Sequence, residues 1–244
     1  MRQWKPFGKR RGRIVIAQIP AINLTGTDPG KAGWHRETTP LAAYPPKGEP
    51  NIFIIGAYSG TIAGLLIDQE PQAKHYLFEP QDWACKALRD RFSQYPNVEV
   101  CEFGLGDTTG LHKMCLYTSY DCTFLRSQTV AFSDDPAAWH DGWMMEFGDF
   151  MEMCQLKSIW YASINIEGYE YALIPYLQET GWLDKIEVLG ISWHDARFNC
   201  PVPGPYVWQG NVLPSYEQMQ ELLAETHKLV LEIDNWQTWV RKDE

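Results

Sequence analysis

Ser163-Ile164-Asn165-Ile166-Glu167-Gly168-Tyr169-Glu170, together with Asn51-Ile52-Phe53-Ile54-Ile55-Gly56-Ala57-Tyr58-Ser59-Gly60 far upstream, decides how this chain folds. The upstream stretch is a short, continuous apolar run that ends in small residues. Such a run fits a strand covered on both faces that turns directly into a helix. The downstream stretch is a strand that ends in a carboxylate and a glycine before a helix begins. The pair predicts an open α/β sheet with a nucleoside-type ligand at the carboxyl edge of its strands.

The segments between and beyond them extend this pattern. Residues 61–69 predict a helix with Ile62, Leu65 and Leu66 on one side, and 75–78 a second strand. Residues 82–95 carry Ala84, Leu88, Phe92 and Tyr95 at helical spacing, and 98–103 predict a third strand. The order β-α-β-α-β requires right-handed crossovers and a parallel sheet. Residues 104–157 are less regular: 111–117 predict a strand or hairpin arm, 131–143 an exposed loop, and 148–156 a helix. Regularity then returns with a strand over 159–166 and a helix over 169–178, bent or shortened by Pro175 and stopped by Gly181. A further strand covers 186–193. Ser215-Tyr216-Glu217-Gln218 is a capping box that opens a helix. Asp234-Asn235 joins the strands 228–233 and 236–240 in a hairpin. A parallel sheet closed by an antiparallel hairpin departs from a plain dinucleotide-binding fold and fits a seven-stranded methyltransferase sheet.

Residues 1–50 predict an irregular lead-in punctuated by Pro20, Pro29, Pro40, Pro45, Pro46 and Pro50, and 51–244 a single domain. The 244 residues suffice for one full α/β core. Six basic residues and no acid stand in the first thirteen, so the rest carries −16 against a chain total of −10. An acidic body argues against a nucleic-acid partner. The basic arm reads as a solvated terminus, with phosphate or anionic headgroups as the functional alternative. Gln18 and Pro20 interrupt the apolar run 14–22 and no small-residue cleavage site follows, so no secretory leader is expected. No run reaches the ~18 apolar residues of a membrane span. Six cysteines without a CxxC pair fit a reducing compartment, so a cytoplasmic location is expected. Eleven tryptophans hint at a flat-faced ligand beside their ordinary use in cores.

Gly56, Ala57, Tyr58, Ser59 and Gly60 allow a ligand to approach the backbone and the helix amino end, or serve tight strand–helix packing. Glu79 ends the second strand at the spacing of an acid that accepts from both ribose hydroxyls. Gly104 and Asp107 follow the third strand, and Asp107 reaches an adenine amino group or caps a turn. His194, after the strand that follows Glu167, is the natural general base for an acceptor hydroxyl, oriented by Asp195 or Glu167. No histidine spacing marks a metal site, and none is expected. Trp139, His140, Trp143 and Tyr206-Val207-Trp208 frame a sugar acceptor or pack, and 199–214 form a second lid.

Ile55–Gly60, Phe78-Glu79-Pro80, Gly104-Leu105-Gly106-Asp107 and Ile164–Glu170 resemble, in order, the motifs of the FkbM family of S-adenosylmethionine-dependent methyltransferases. The resemblance runs from about residue 51 to 194. It implies a Rossmann-like class I methyltransferase fold with helices on both faces of a mostly parallel, seven-stranded sheet. It also implies S-adenosyl-L-methionine as cofactor, transfer to a hydroxyl of a glycan or small metabolite, and Asn165, Glu167 and His194 at the reacting end. Two acids of the family pattern are replaced, by Ile54 and by Asn165, and Asn51 is the nearest compensation for the first. A catalytically degenerate binding protein of the same fold is therefore the alternative. A nicotinamide-dependent oxidoreductase is a third reading, against which the absence of GxGxxG counts. No stable membrane insertion is expected, and a homo-oligomer is compatible with the sequence.

Overall fold

The computed structural model describes residues 41–116, 122–124, 126–127, 139–198 and 204–242. The basic arm and the lead-in up to residue 40 lie outside the described residues, as do 131–138 of the expected loop and 199–203 of the expected lid.

The strands are β1 (Asn51–Ile55), β2 (Lys74–Phe78), β3 (Val98–Cys101), β4 (Gly104–Gly106), β5 (Gly110–Leu116), β6 (Cys122–Thr123), β7 (Arg126–Ser127), β8 (Trp139–Glu146), β9 (Ile159–Ile164), β10 (Ile186–Ser192), β11 (Tyr206–Trp208), β12 (Asn211–Val212), β13 (His227–Ile233) and β14 (Trp236–Arg241). The helices are α1 (Thr61–Gln69), α2 (Asp82–Phe92), α3 (Phe147–Met153), α4 (Glu170–Glu179) and α5 (Tyr216–Thr226). The main sheet runs β13-β14-β10-β9-β1-β2-β3, parallel except for β14, which is antiparallel to both neighbours. Counted within that sheet, the order is 6-7-5-4-1-2-3. This is the Rossmann-like class I methyltransferase arrangement, and the closing hairpin turns at Asp234, whose φ is +54°.

Alternation along β1 builds both layers. Phe53 and Ile55 face a core with Phe147, Phe150, Leu173 and Leu223, contributed by α3, α4 and α5. Ile52 and Ile54 face the opposite core with Ala63, Leu66, Leu88 and Phe92 from α1 and α2. The first core is aromatic: Phe53 stands 5.0 Å from Phe78 and 5.6 Å from Phe150, ring centre to ring centre. Leu41, just before the sheet, is fully buried in the second core. Trp160 donates from Nε1 to the Tyr44 carbonyl, and Glu187 accepts from the Lys47 amide. Residues 41–47 are thus tied to β9 and β10.

Three local expectations are corrected. α4 runs through Pro175 to Glu179, because a proline removes one helical hydrogen bond without unseating a helix whose apolar side is buried. Residues 139–143 belong to strand β8, which pairs with β5 from Gly110↔Met144 to Cys115↔Trp139. The third strand ends at Cys101, and β4 joins the separate sheet β4-β8-β5-β6. Another small sheet, β12-β11-β7, lies alongside. Among the described residues no helix is long and apolar enough to cross a membrane. Cys85, Cys101 and Cys154 are free thiols.

Candidate functional site

The sheet order reverses between β1 and β9, and a cleft opens there at the carboxyl ends of the strands, as expected for an open α/β sheet. It encloses about 1000 Å³ out to open solvent. Gly56, Ala57, Tyr58, Ser59, Glu79, Gly104, Asn165 and Glu167 line it. Gly60, His194 and Asp107 do not.

The turn after β1 is fixed by its own backbone. Gly56 and Ala57 both donate to the Phe78 carbonyl, at 3.1 and 3.0 Å. Gly56 sits at φ +86°, and a Cβ there would lie 2.0 Å from the Asn165 carbonyl oxygen. Only glycine lets the ends of β1 and β9 approach this closely. Gly60 caps α1 instead of touching the cleft.

Glu79 is 3% exposed at the end of β2. Its Oε2 accepts from the Tyr58 amide at 2.8 Å and its Oε1 from the Gln81 amide at 2.9 Å. Burial raises its proton affinity, and these amide donors offset part of that rise. The carboxylate thereby ties the glycine turn to β2 at the cleft floor. Each oxygen keeps further acceptor capacity for a ligand hydroxyl. Tyr58 and Trp83 form an edge-to-face pair 5.4 Å apart beside this end of the cleft.

At the other end, Asn165 lines the cleft, and its Oδ1 is buried with no hydrogen-bond partner among the described residues. An orphaned acceptor in a cleft wall is costly unless a ligand donates to it. Glu167 follows in the left-handed region at φ +57°. Behind it, His194 is clamped: Nε2 lies 3.2 Å from Glu167 Oε2, and Nδ1 lies 3.0 Å from Glu170 Oε1. Burial pushes the imidazole pKa down, but the Glu170 and Glu167 carboxylates outweigh it and hold the pKa well above 6.5. A carboxylate thus stands against each ring nitrogen, an arrangement in which the protonated ring donates to both.

That geometry changes the roles expected from sequence. Both ring nitrogens of His194 face carboxylates, and the residue does not line the cleft. Asp195 does not orient His194, because its Oδ1 accepts from the Arg197 amide and from Arg197 Nε at 2.8 Å. Among the described residues no group of three or more His, Cys, Asp or Glu side chains has the geometry of a metal site. Asp107 lies away from the cleft and accepts from the Tyr169 hydroxyl at 2.5 Å and from Trp208 Nε1 at 2.9 Å. This carboxylate braces the Tyr169 and Trp208 side chains. Ile54 packs in the α1–α2 core, so an acid at that position would meet apolar side chains. Asn51 cannot replace that acid, since it starts β1 at the far edge and donates to Glu49 and the Ser158 carbonyl.

Several lining residues carry no signal in the sequence. Leu105 and Met144 reach the cleft from the paired strands β4 and β8, and Phe124 from just beyond β6, an arrangement that depends on contacts distant along the chain. Tyr206 donates to the His194 carbonyl at 2.8 Å, and its ring fills the space where a Gly168 Cβ would stand. Trp143 is 42% exposed on β8, outside the cleft. Glu170 was legible only as a second acid three residues after Glu167.

No protein-family model and no curated protein matches the chain. Among solved structures it is similar to an rRNA methylase from Streptococcus thermophilus, at 12% identity over 80% of this chain and 88% of that one, with a TM-score of 0.43. It is similar to a fibrillarin pre-rRNA processing protein from Methanococcus jannaschii, at 12% identity over 85% and 70%, with a TM-score of 0.42. It is also similar to a precorrin-6y C5,15-methyltransferase from Geobacter metallireducens, at 11% identity over 83% and 84%, with a TM-score of 0.38. The strand order stands independently of these likenesses.

Proposed function

We propose that this protein is an S-adenosyl-L-methionine-dependent O-methyltransferase whose acceptor is a hydroxyl of a glycan or small metabolite. The observation that carries the reading is Glu79: a carboxylate buried at the end of β2, bonded to the amide of the glycine turn and lining the cleft at the switch point. The residues present fit the cofactor. Glu79 offers acceptors to the ribose hydroxyls, the Gly56–Ser59 turn allows close approach to the backbone, and Asn165 Oδ1 lacks a donor. When bound, the cofactor supplies a methyl group activated by its sulfonium.

Glu167 takes the role of proton acceptor for the attacking hydroxyl, because it lines the cleft and His194 does not. The imidazolium of His194 fixes that carboxylate from behind. Most of the acceleration comes from holding the two reactants in line. The acceptor reading draws support from charge. The lining residues include the acids Glu79 and Glu167 and, among the described residues, no Lys, Arg or His. A polyanionic acceptor would meet repulsion there.

The test is calorimetric titration of the full-length protein with S-adenosylmethionine and S-adenosylhomocysteine. Saturable binding is expected, weakened at least about tenfold in Glu79→Ala through the lost charge-assisted hydrogen bonds. Folded protein that binds neither compound sinks the reading. The replacement of the first motif acid by buried Ile54 favours a second reading, a binding protein without turnover. Binding with no methyl transfer to any hydroxylated acceptor would decide for it.

A further inference from the structure

Glu170, at the start of α4, has no part in the cleft wall, yet it is a fully buried carboxyl group. Its Oε1 accepts from the Ile166 amide at 2.8 Å and from His194 Nδ1 at 3.0 Å. Its Oε2 has no hydrogen-bond partner among the described residues. Burying such a group costs free energy, and an apolar side chain of the same size would fill the space at less cost. What an apolar residue cannot do is hold the Ile166 amide, orient the imidazole and place a charge behind it.

The surroundings make the geometry rigid. Glu167 and Gly168 occupy left-handed backbone at φ +57° and +98°, so the turn itself sets the direction of the Glu167 side chain. The Ile166 amide ties that turn to Glu170. Tyr206 packs on Gly168 and donates to the His194 carbonyl, which fixes the imidazole from the β11 side. The other titratable groups at this corner, among the described residues, are Tyr171 on α4, Tyr206 on β11, Tyr216 on α5, and Asp195 and Arg197, which pair with each other, Arg197 also pairing with Glu217.

We infer that Glu170 is a positioning residue: acting through His194, it fixes the direction of the Glu167 carboxylate at the cleft wall and sets the charge which that corner presents to a cationic ligand centre. This role presupposes the cofactor proposed above, whose sulfonium is the cation. Of the carboxylates that raise the proton affinity of His194, Glu170 contributes most, ahead of Glu167, against the opposing effect of burial.

The test uses full-length wild type and Glu170→Gln, which keeps size and shape, between about pH 6 and 8, where an unperturbed histidine titrates. Nitrogen NMR follows the His194 ring. Calorimetry gives the ratio of affinities for S-adenosylmethionine and the neutral S-adenosylhomocysteine. In wild type both ring nitrogens stay protonated across the range, and the ratio stays flat. In Glu170→Gln the ring titrates within the range. The ratio falls about fivefold at the acid end, where the imidazolium has lost one carboxylate, and recovers as the ring deprotonates. A wild-type His194 that titrates near 6.5 overturns the inference. So does a variant with the wild-type ratio and pH profile, because a purely structural loss lowers both affinities together. If Glu170→Gln does not fold, the wild-type ring titration decides. If neither ligand binds wild type, the cofactor reading fails, while the ring titration still judges the Glu170–His194 coupling.

Discussion

Glu79 and Glu167 are carboxylates at strand ends that flank one cleft, but their partners give them different work. Glu79 accepts from backbone amides and holds a turn. Glu167 faces the His194 ring. Sequence position alone made both acids candidates, since each stands at the carboxyl edge of a strand. The surroundings of His194 were not legible, because Glu170 reaches it across the fold. A contrasting case is His227, fully buried at the start of β13. Its Nε2 donates to the Ile186 carbonyl at 3.0 Å, and its Nδ1 accepts from the Thr226 hydroxyl at 2.8 Å. Burial pushes its pKa down from 6.5 to about 4. A depressed folded pKa means that the unfolded chain binds the proton first. The stability present above pH 6.5 is therefore lost as the pH falls towards 4. The loss is expected to be on the order of 2–3 kcal/mol at the acid end. Urea unfolding of wild type and His227→Gln at successive pH values measures it, and the variant should lack this share of the acid loss.

At the scale of elements, local chemistry and burial divided the outcome. Ser215 accepts from the Gln218 amide, and the Gln218 side chain accepts from the Ser215 amide, so the box read from the sequence forms as a reciprocal cap on α5. Ser215→Ala should cost about 1 kcal/mol in chemical unfolding, with the cofactor affinity unchanged. Caps, the Asp234-Asn235 hairpin and the apolar run of β1 were legible because each depends on residues close in sequence. β8 was not. Its residues 139–143 look like loop because they end a stretch, 131–143, that is rich in Asp, Pro and Trp. They become strand through pairing with β5, a partner some thirty residues away. Pro175 misled for the converse reason: the buried apolar side of α4 holds the helix through the missing hydrogen bond.

For the whole molecule, the parallel sheet decides where the chain can bind anything. Both faces are covered by helices, and the switch point between β1 and β9 opens a cleft at the carboxyl ends of the strands. Leu41 links the preceding segment to this frame by filling the core beneath α1 and α2. Leu41→Ala should lower stability by about 2–5 kcal/mol, because the site is fully buried and cannot collapse easily. The fall should appear as a lower urea midpoint with an unchanged slope. A loss below about 0.5 kcal/mol would show that this segment does not belong to the cooperative core.

By itself the sequence determined the alternation of strands and helices, the closing hairpin, the glycine turn and the acid at the end of β2. These follow from periodicity, turn chemistry and fixed spacing, which are properties of neighbouring residues. Only the tertiary structure decided which strand end faces which. It set Glu79 and Glu167 on one cleft, took Asp107 away to Tyr169 and Trp208, and closed His194 between two carboxylates. The physical reason is that charge and hydrogen-bonding state depend on burial and on the groups within a few ångströms. In a crossover fold, those groups come from strands and helices far apart along the chain.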